Sequence, residues 1–175
     1  MRQGKTHLYY GNGKGKTTAA LGLLLRAYGN GMQAVLAQFL KGRPTGELQT
    51  LAQLPDITIL RQTHNYGLFT RATPKQKEEI RENNNTALKK AWQLVADGLC
   101  DLLVLDEICA AYNNDAIEKS LVEKILQEKP PELELILTGR NAPDFFYERA
   151  DYVTEFVKHK HPFDQGLAAR EGIEF

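Results

Sequence analysis

A glycine-rich turn between a short strand and an apolar helix constrains this chain more than any other feature. From Lys5 to Gly29 the sequence runs Lys-Thr-His-Leu-Tyr-Tyr, then Gly-Asn-Gly-Lys-Gly-Lys-Thr-Thr, then Ala-Ala-Leu-Gly-Leu-Leu-Leu-Arg-Ala-Tyr-Gly. Thr6 to Tyr10 is short and rich in β-formers. Gly11, Gly13 and Gly15, interleaved with Asn12 and Lys14, allow the backbone to curl and turn several N–H groups inward. Lys16, Thr17 and Thr18 then open a helix whose N-terminus carries partial positive charge. A nest of amides, a lysine and a hydroxyl together make a polyphosphate site with a place for Mg²⁺.

The turn is one residue away from the general phosphate-loop pattern, Gly-x4-Gly-Lys-[Ser/Thr]. Counting back from Gly15 puts the first glycine at position 10, where this chain has Tyr10, and Gly11 comes one residue late. A ligand-free glycine turn would not require two lysines and two threonines in the same eight residues.

A chain of 175 residues fits a single domain over 1–175. It is long enough to bury about 70% of its unfolded surface. The 22 basic and 22 acidic residues cancel, so no global field recruits nucleic acid or an anionic membrane. Neither a transmembrane length nor a signal peptide is visible, which makes the cytoplasm the expected compartment. Cys100 and Cys109 lack metal-type spacing and read as reduced, buried thiols.

Strands and helices alternate along the rest of the chain. The helix after the turn is apolar nearly all round and ends at Gly29-Asn30-Gly31. A buried strand over 33–40, a polar loop from Lys41 to Glu47, a short helix over 48–54 and a strand over 57–60 follow. Residues 61–73 show no period, and loops of this length are often functional. Thr73, Pro74 and Gln76 are the cap, first position and third position of a helix reaching Asp97. Leu102 to Leu105 is an apolar strand ending in Asp106-Glu107. Asp115 is expected to cap a helix carrying Ile117, Leu121, Val122, Ile125 and Leu126, which Pro130-Pro131 breaks. A strand over 133–137 closes in Thr138-Gly139-Arg140, a helix starts at 141–143 and runs to Ala150, and 152–157 is a last strand. This pattern predicts an α/β domain whose mostly parallel sheet carries helices on both faces, a phosphate-loop NTPase architecture of the RecA-like kind. Ligands of such sheets sit outside the carboxyl ends of the strands. The glycine turn, Asp106-Glu107 and Thr138-Gly-Arg140 all fall there.

Thr17, with Glu107 or Asp106, forms a candidate Mg²⁺ site, since Mg²⁺ takes few carboxylates alongside phosphate oxygens. Arg140 is placed to reach a phosphate or carboxylate bidentately, or else to form a surface ion pair. Lys41 and Arg43 read as a solvated loop with the potential to meet an acidic ligand group. His159 and His161, flanking Lys160, lack a third metal partner and read as a polar tail.

These residues fall into six ordered blocks. They are Gly-Asn-Gly-Lys-Gly-Lys-Thr-Thr-Ala-Ala (11–20), Gln-Phe-Leu-Lys-Gly (38–42) with Gly46-Glu47, Leu-Leu-Val-Leu-Asp-Glu-Ile (102–108), Leu-Thr-Gly-Arg-Asn-Ala-Pro (137–143), Ala-Asp-Tyr-Val-Thr-Glu (150–155), and Lys160-His161-Pro-Phe with the ending Gly-Ile-Glu-Phe (172–175). Together they resemble the phosphate-loop type of ATP:corrinoid adenosyltransferase, over nearly the whole chain and including the one-residue departure. The resemblance implies that Co(I) of a reduced corrinoid attacks the 5′ carbon of ATP and that triphosphate leaves. Residues 11–18 and Arg140 would bind ATP, with Lys16 and Thr17 catalytic and Mg²⁺ on Thr17, Asp106 and Glu107. It also implies a homodimer and an electron donor such as a reduced flavin or flavodoxin, in the making or salvage of adenosylcobalamin. Familiar members exclude the lower axial ligand of the corrinoid with an aromatic pair in a Gly-Phe-Thr-Trp stretch. Here that region reads Tyr66-Gly-Leu-Phe-Thr without the tryptophan, so Tyr66, Leu68 and Phe69 become the corrinoid candidates, while Trp92 reads as core. The alternative readings are a phosphate-loop NTPase or small-molecule kinase, or a non-catalytic corrinoid or nucleotide binder.

Overall fold

The computed structural model describes residues 3–174. Six strands form one parallel sheet: β1 (Thr6–Tyr10), β2 (Ala34–Gln38), β3 (Ile57–Arg61), β4 (Leu102–Asp106), β5 (Glu134–Thr138) and β6 (Tyr152–Glu155), in the spatial order β3-β2-β4-β5-β1-β6. The helices are α1 (Lys16–Tyr28), α2 (Gly46–Leu51), α3 (Pro74–Ala96), α4 (Ile108–Asn113), α5 (Lys119–Glu128) and α6 (Asp144–Arg149). Parallel strands need crossovers, and the alternation of elements supplies them.

The two-residue period of the central strands divides the core into two layers. Leu36, Leu102, Val104 and Ile136 face α1, where Ala20, Leu21 and Leu24 meet them. Val35, Ala37, Leu103, Leu105, Leu135 and Leu137 face the opposite layer, with Leu88 and Ala91 of α3, Ile108 of α4, Ile125 of α5 and Phe146 of α6. Helices therefore cover both faces, as the near-continuous apolar runs of β2, β4 and β5 require. The edge strand β6 is exposed along its whole length. No helix among the described residues is long and apolar enough to cross a membrane.

The capping box predicted for α3 is present: Thr73 Oγ1 accepts from the Gln76 amide at 3.3 Å and Gln76 Oε1 from the Thr73 amide at 2.9 Å. Both cysteines are buried, and burial pushes the Cys109 thiol up to about 12. Trp92 packs against the core, as expected. The region after β4 differs from the sequence reading. Helix α4 follows Glu107 directly, a six-residue element too short to show a period. Asp115 is not a cap; it stands in a left-handed conformation at φ 53° and pairs with Lys119. The residue before α5 is Glu118, whose amide donates to Asn85 Oδ1 at 2.8 Å, while Asn84 Nδ2 donates to the Ala116 carbonyl at 2.9 Å. Two side chains of α3 thus hold the α4–α5 connection. The last strand ends at Glu155, because the Phe156 carbonyl turns away to accept from Gly13 N at 2.6 Å.

Candidate nucleotide site

The glycine turn stands between β1 and α1 at the carboxyl edge of the sheet, with β5 separating it from β4. Gly11 and Gly15 adopt φ of 108° and 115°, a region that a side chain strains. The amides of Gly11 and Gly13 face away from the expected nest: they donate to the carbonyls of Arg140 at 3.0 Å and Phe156 at 2.6 Å. These bonds pin the loop from outside, and Asn12 Oδ1 adds to them by accepting from Lys158 N at 3.0 Å. Helix α1 has no side-chain cap and no acid in its first turn, so its positive end is left for an anion.

Lys16 is buried and its ammonium donates to the Gly13 carbonyl at 2.7 Å. Burial lowers its pKa, an effect that Glu107 and Asp106 oppose and Arg140 and Lys41 reinforce. Charges of both signs from three strand ends thus converge on Lys16.

Asp106 lies at the centre of this convergence and is fully buried. Its Oδ1 accepts from Thr17 Oγ1 at 2.9 Å and from Thr138 Oγ1 at 2.7 Å. Its Oδ2 accepts from Gln38 Nε2 at 3.1 Å and from Lys41 Nζ at 2.6 Å, and the same ammonium stands 3.1 Å from Thr17 Oγ1. Thr138 Oγ1 also accepts from the Glu107 amide at 2.9 Å, fixing the turn after β4. Four donors from three side chains and one ammonium thus converge on one carboxylate. Sequence reading named Thr17, Asp106 and Glu107 but left Lys41 on a solvated loop and gave Gln38 and Thr138 no role. The signal available was positional, since each stands at or just beyond the carboxyl end of a parallel strand.

A cavity of about 1010 Å³ opens above this floor. Thr17, Thr18, Gln38 and Lys41 line its polar side, and Leu21, Leu25, Leu68 and Ile173 its apolar side. Arg61 shapes the loop on one flank by donating to the carbonyls of Lys41 at 3.1 Å and Arg43 at 2.6 Å. The three corrinoid candidates separate. Leu68 lines the cavity, Phe69 packs on the core beneath Lys77, and Tyr66 stacks at a tilt on His64, its pKa raised by lost hydration and then by Glu79 of α3. Lys14 faces out to Glu174 at 2.7 Å. His161 accepts from Phe163 N at 3.2 Å and caps a short 3₁₀ turn.

A parallel sheet with the phosphate turn after its first strand and a buried aspartate two strands away defines the phosphate-loop NTPase class. A solved structure of that fold, the KaiC-like protein PH0186 of Pyrococcus horikoshii OT3, superposes with a TM-score of 0.54 at 15% identity, over 91% of this chain and 75% of that one. Within the class, residues 2–175 match the family model described as ATP:corrinoid adenosyltransferase BtuR/CobO/CobP. Corrinoid adenosyltransferases of Pseudomonas aeruginosa and Escherichia coli K12 are 36% and 34% identical, each over 96% of this chain and over 82% and 84% of their own lengths. One from Sinorhizobium is 36% identical over 94% of this chain and 77% of its own. The chain belongs to the ATP:corrinoid adenosyltransferase family, a family of transferases.

Proposed function

We propose that this chain transfers the 5′-deoxyadenosyl group of ATP to Co(I) of a reduced corrinoid, releasing triphosphate. The cluster of Lys16, Thr17, Asp106 and Lys41, which reaches the cavity through Thr17 and Lys41 opposite an apolar wall of Leu21, Leu25, Leu68 and Ile173, carries the proposal. The cavity's polar side suits the triphosphate and its apolar wall a macrocycle. The cobalt–carbon bond forms as the bond from C5′ to the phosphate oxygen breaks, and the electron pair leaves with triphosphate. The nucleophile is the metal of the substrate, so the protein has no proton to remove. What remains is alignment and stabilisation of charge on the departing oxygen.

Lys16, freed from the Gly13 carbonyl, would take a phosphate oxygen, and the open end of α1 and Arg140 would add positive potential. The residues present fit Mg²⁺. Thr17 and Asp106 offer hard oxygens that a lysine ammonium already bridges, and Glu107 stands close enough to act on Lys16. Bound there, Mg²⁺ would withdraw charge from the leaving triphosphate. Leu68, at the tip of the loop after β3, is the corrinoid-facing residue this geometry favours. Tyr66 and Phe69 act behind it, holding the loop to α3. Family membership supports the remaining expectations of a homodimer, a cytoplasmic setting and a reduced flavin or flavodoxin as electron donor.

The test is anaerobic mixing of the protein with Mg·ATP and chemically reduced cob(I)alamin. A light-sensitive Co–C product and an equivalent of triphosphate are expected, with Lys16→Ala losing about 10²-fold or more in rate. Release of ADP or orthophosphate without a Co–C bond would replace the proposal with the NTPase or kinase reading.

A further inference from the structure

Lys41 holds a position that its place on a loop does not explain. Its ammonium bridges Thr17 Oγ1 and Asp106 Oδ2, the pair of oxygens assigned above to the divalent cation. Asp106 is wholly buried, whereas the Lys41 side chain keeps 29% of its surface exposed on the cavity side. The pair is therefore open from one direction only. The backbone is bent to make it: Leu40 takes a left-handed conformation at φ 58°, and the Arg61 guanidinium clamps the carbonyls of Lys41 and Arg43. Gln38 Nε2 shares Asp106 Oδ2 with the lysine, and Gln38 Oε1 is buried with no hydrogen-bond partner among the described residues. That acceptor lacks a donor in the present arrangement, and Gln38 lines the cavity.

A buried carboxylate without a cation is strongly disfavoured, and two cations cannot share so small a site. We propose that Lys41 is a displaceable counter-ion of Asp106 that lets Mg²⁺ in only together with ATP. Without nucleotide the ammonium neutralises Asp106 and repels a bare divalent cation. When Mg·ATP arrives, the metal takes over Thr17 and Asp106, and the flexible lysine stem swings the ammonium into the cavity, where the phosphate chain provides the anion it has lost. Lys41 thus acts as a positioning residue, and its second position adds a positive charge to the leaving triphosphate. The inference rests on the Mg·ATP reading of this site.

The test measures Mn²⁺ binding to nucleotide-free protein by electron paramagnetic resonance, and ATP binding by calorimetry, with no turnover. Wild type should bind Mn²⁺ alone weakly. Lys41→Met, and Lys41→Gln, which keeps a donor for Asp106 if the methionine variant fails to fold, should bind it tighter by about tenfold or more. Adding Thr17→Ala should abolish that gain, and Lys41→Arg, which keeps the charge, should not show it. ATP affinity in the presence of Mg²⁺ should fall in the neutral variants. A merely structural ion pair would not tighten Mn²⁺ binding when removed. Equal Mn²⁺ affinity in wild type and both neutral variants, with ATP binding intact in wild type, would overturn the role of Lys41 alone. Failure of wild type to bind ATP would overturn the nucleotide reading and this proposal with it.

Discussion

Thr138→Val is the substitution that isolates the framework of the site from its ligand contacts. Valine matches threonine in shape and suits a strand, so packing at this fully buried position is preserved. What is lost is one hydroxyl with two bonds: its donation to Asp106 Oδ1 at 2.7 Å and its acceptance from the Glu107 amide at 2.9 Å. The first bond is charge-assisted and contributes about 1.5–3 kcal/mol. Losing the second leaves a partly buried amide unsatisfied, at a cost of about 1 kcal/mol or more. The two losses share one atom and are not independent, so the expected destabilisation is about 3 kcal/mol rather than their full sum. With a urea m-value of about 2–3 kcal/mol/M, the midpoint should fall by about 1–1.5 M. Thr138→Ser, which restores the hydroxyl, should recover most of it. Activity should fall further than stability at temperatures where both variants are folded, because Asp106 loses the bond that fixes its orientation toward Thr17. A valine variant whose midpoint lies within about 0.2 M of wild type, with unchanged m, would refute the assignment of this network.

Other consequences are open to direct measurement. Gly139→Ala would set a Cβ 2.3 Å from Cys109 Cβ, so it should destabilise by about 1–3 kcal/mol in thermal unfolding, and Cys109→Gly should relieve the clash. Leu68→Ala should slow adenosylation starting from Co(II)corrinoid with reductant more than adenosylation of preformed Co(I); equal effects would remove Leu68 from the ligand-excluding role. The Glu174 carboxyl is held down to about 2 by hydrogen bonds from Arg170 and Lys14. Its folded pKa lies below the ordinary carboxylate value, so the contact is intact above that value and is lost as pH falls toward 2. Carbon-13 NMR titration should find its midpoint near 2, and a midpoint near 4.5 would show that the tail does not rest on Lys14.

The parts of this fold that sequence revealed are those where one residue type has one physical use. Glycines at 11 and 15 precede a lysine and an uncapped helix, Thr73-Pro74-Gln76 forms its capping box, and apolar runs mark β2, β4 and β5 as central parallel strands. Where a residue has several uses, the reading failed. Aspartate serves as a helix cap and also tolerates a left-handed turn, so Asp115 was misplaced. Helix α4, at six residues, has too few positions for a period to show. In the site, Thr17 and Asp106 carried a motif, but Gln38 and Thr138 acquire their roles only when β2, β4 and β5 lie side by side. That adjacency is a property of strand order, which local sequence does not encode.

The two residues that aim the site are also its backbone outliers. Leu40 lies two residues past the end of β2 and Glu107 directly follows the adjacent strand β4, and both are left-handed, at φ 58° and 62°. Such a conformation costs a non-glycine residue about 1–2 kcal/mol. Neither position is glycine, although glycine would remove the strain. Leu40 packs against the core, and that packing fixes the bend which brings Lys41 back over Asp106. Glu107 is held by Thr138, so its reversed backbone starts α4 at once and leaves its carboxylate near Lys16. The strain is thus offset at Leu40 by its packing on the core and at Glu107 by the hydrogen bond to Thr138. A glycine at 40 would relieve the dihedral but free the loop, and the ammonium would lose its defined place. The site's geometry therefore depends on the core packing of Leu40 and the hydroxyl of Thr138 as much as on the groups that face the cavity.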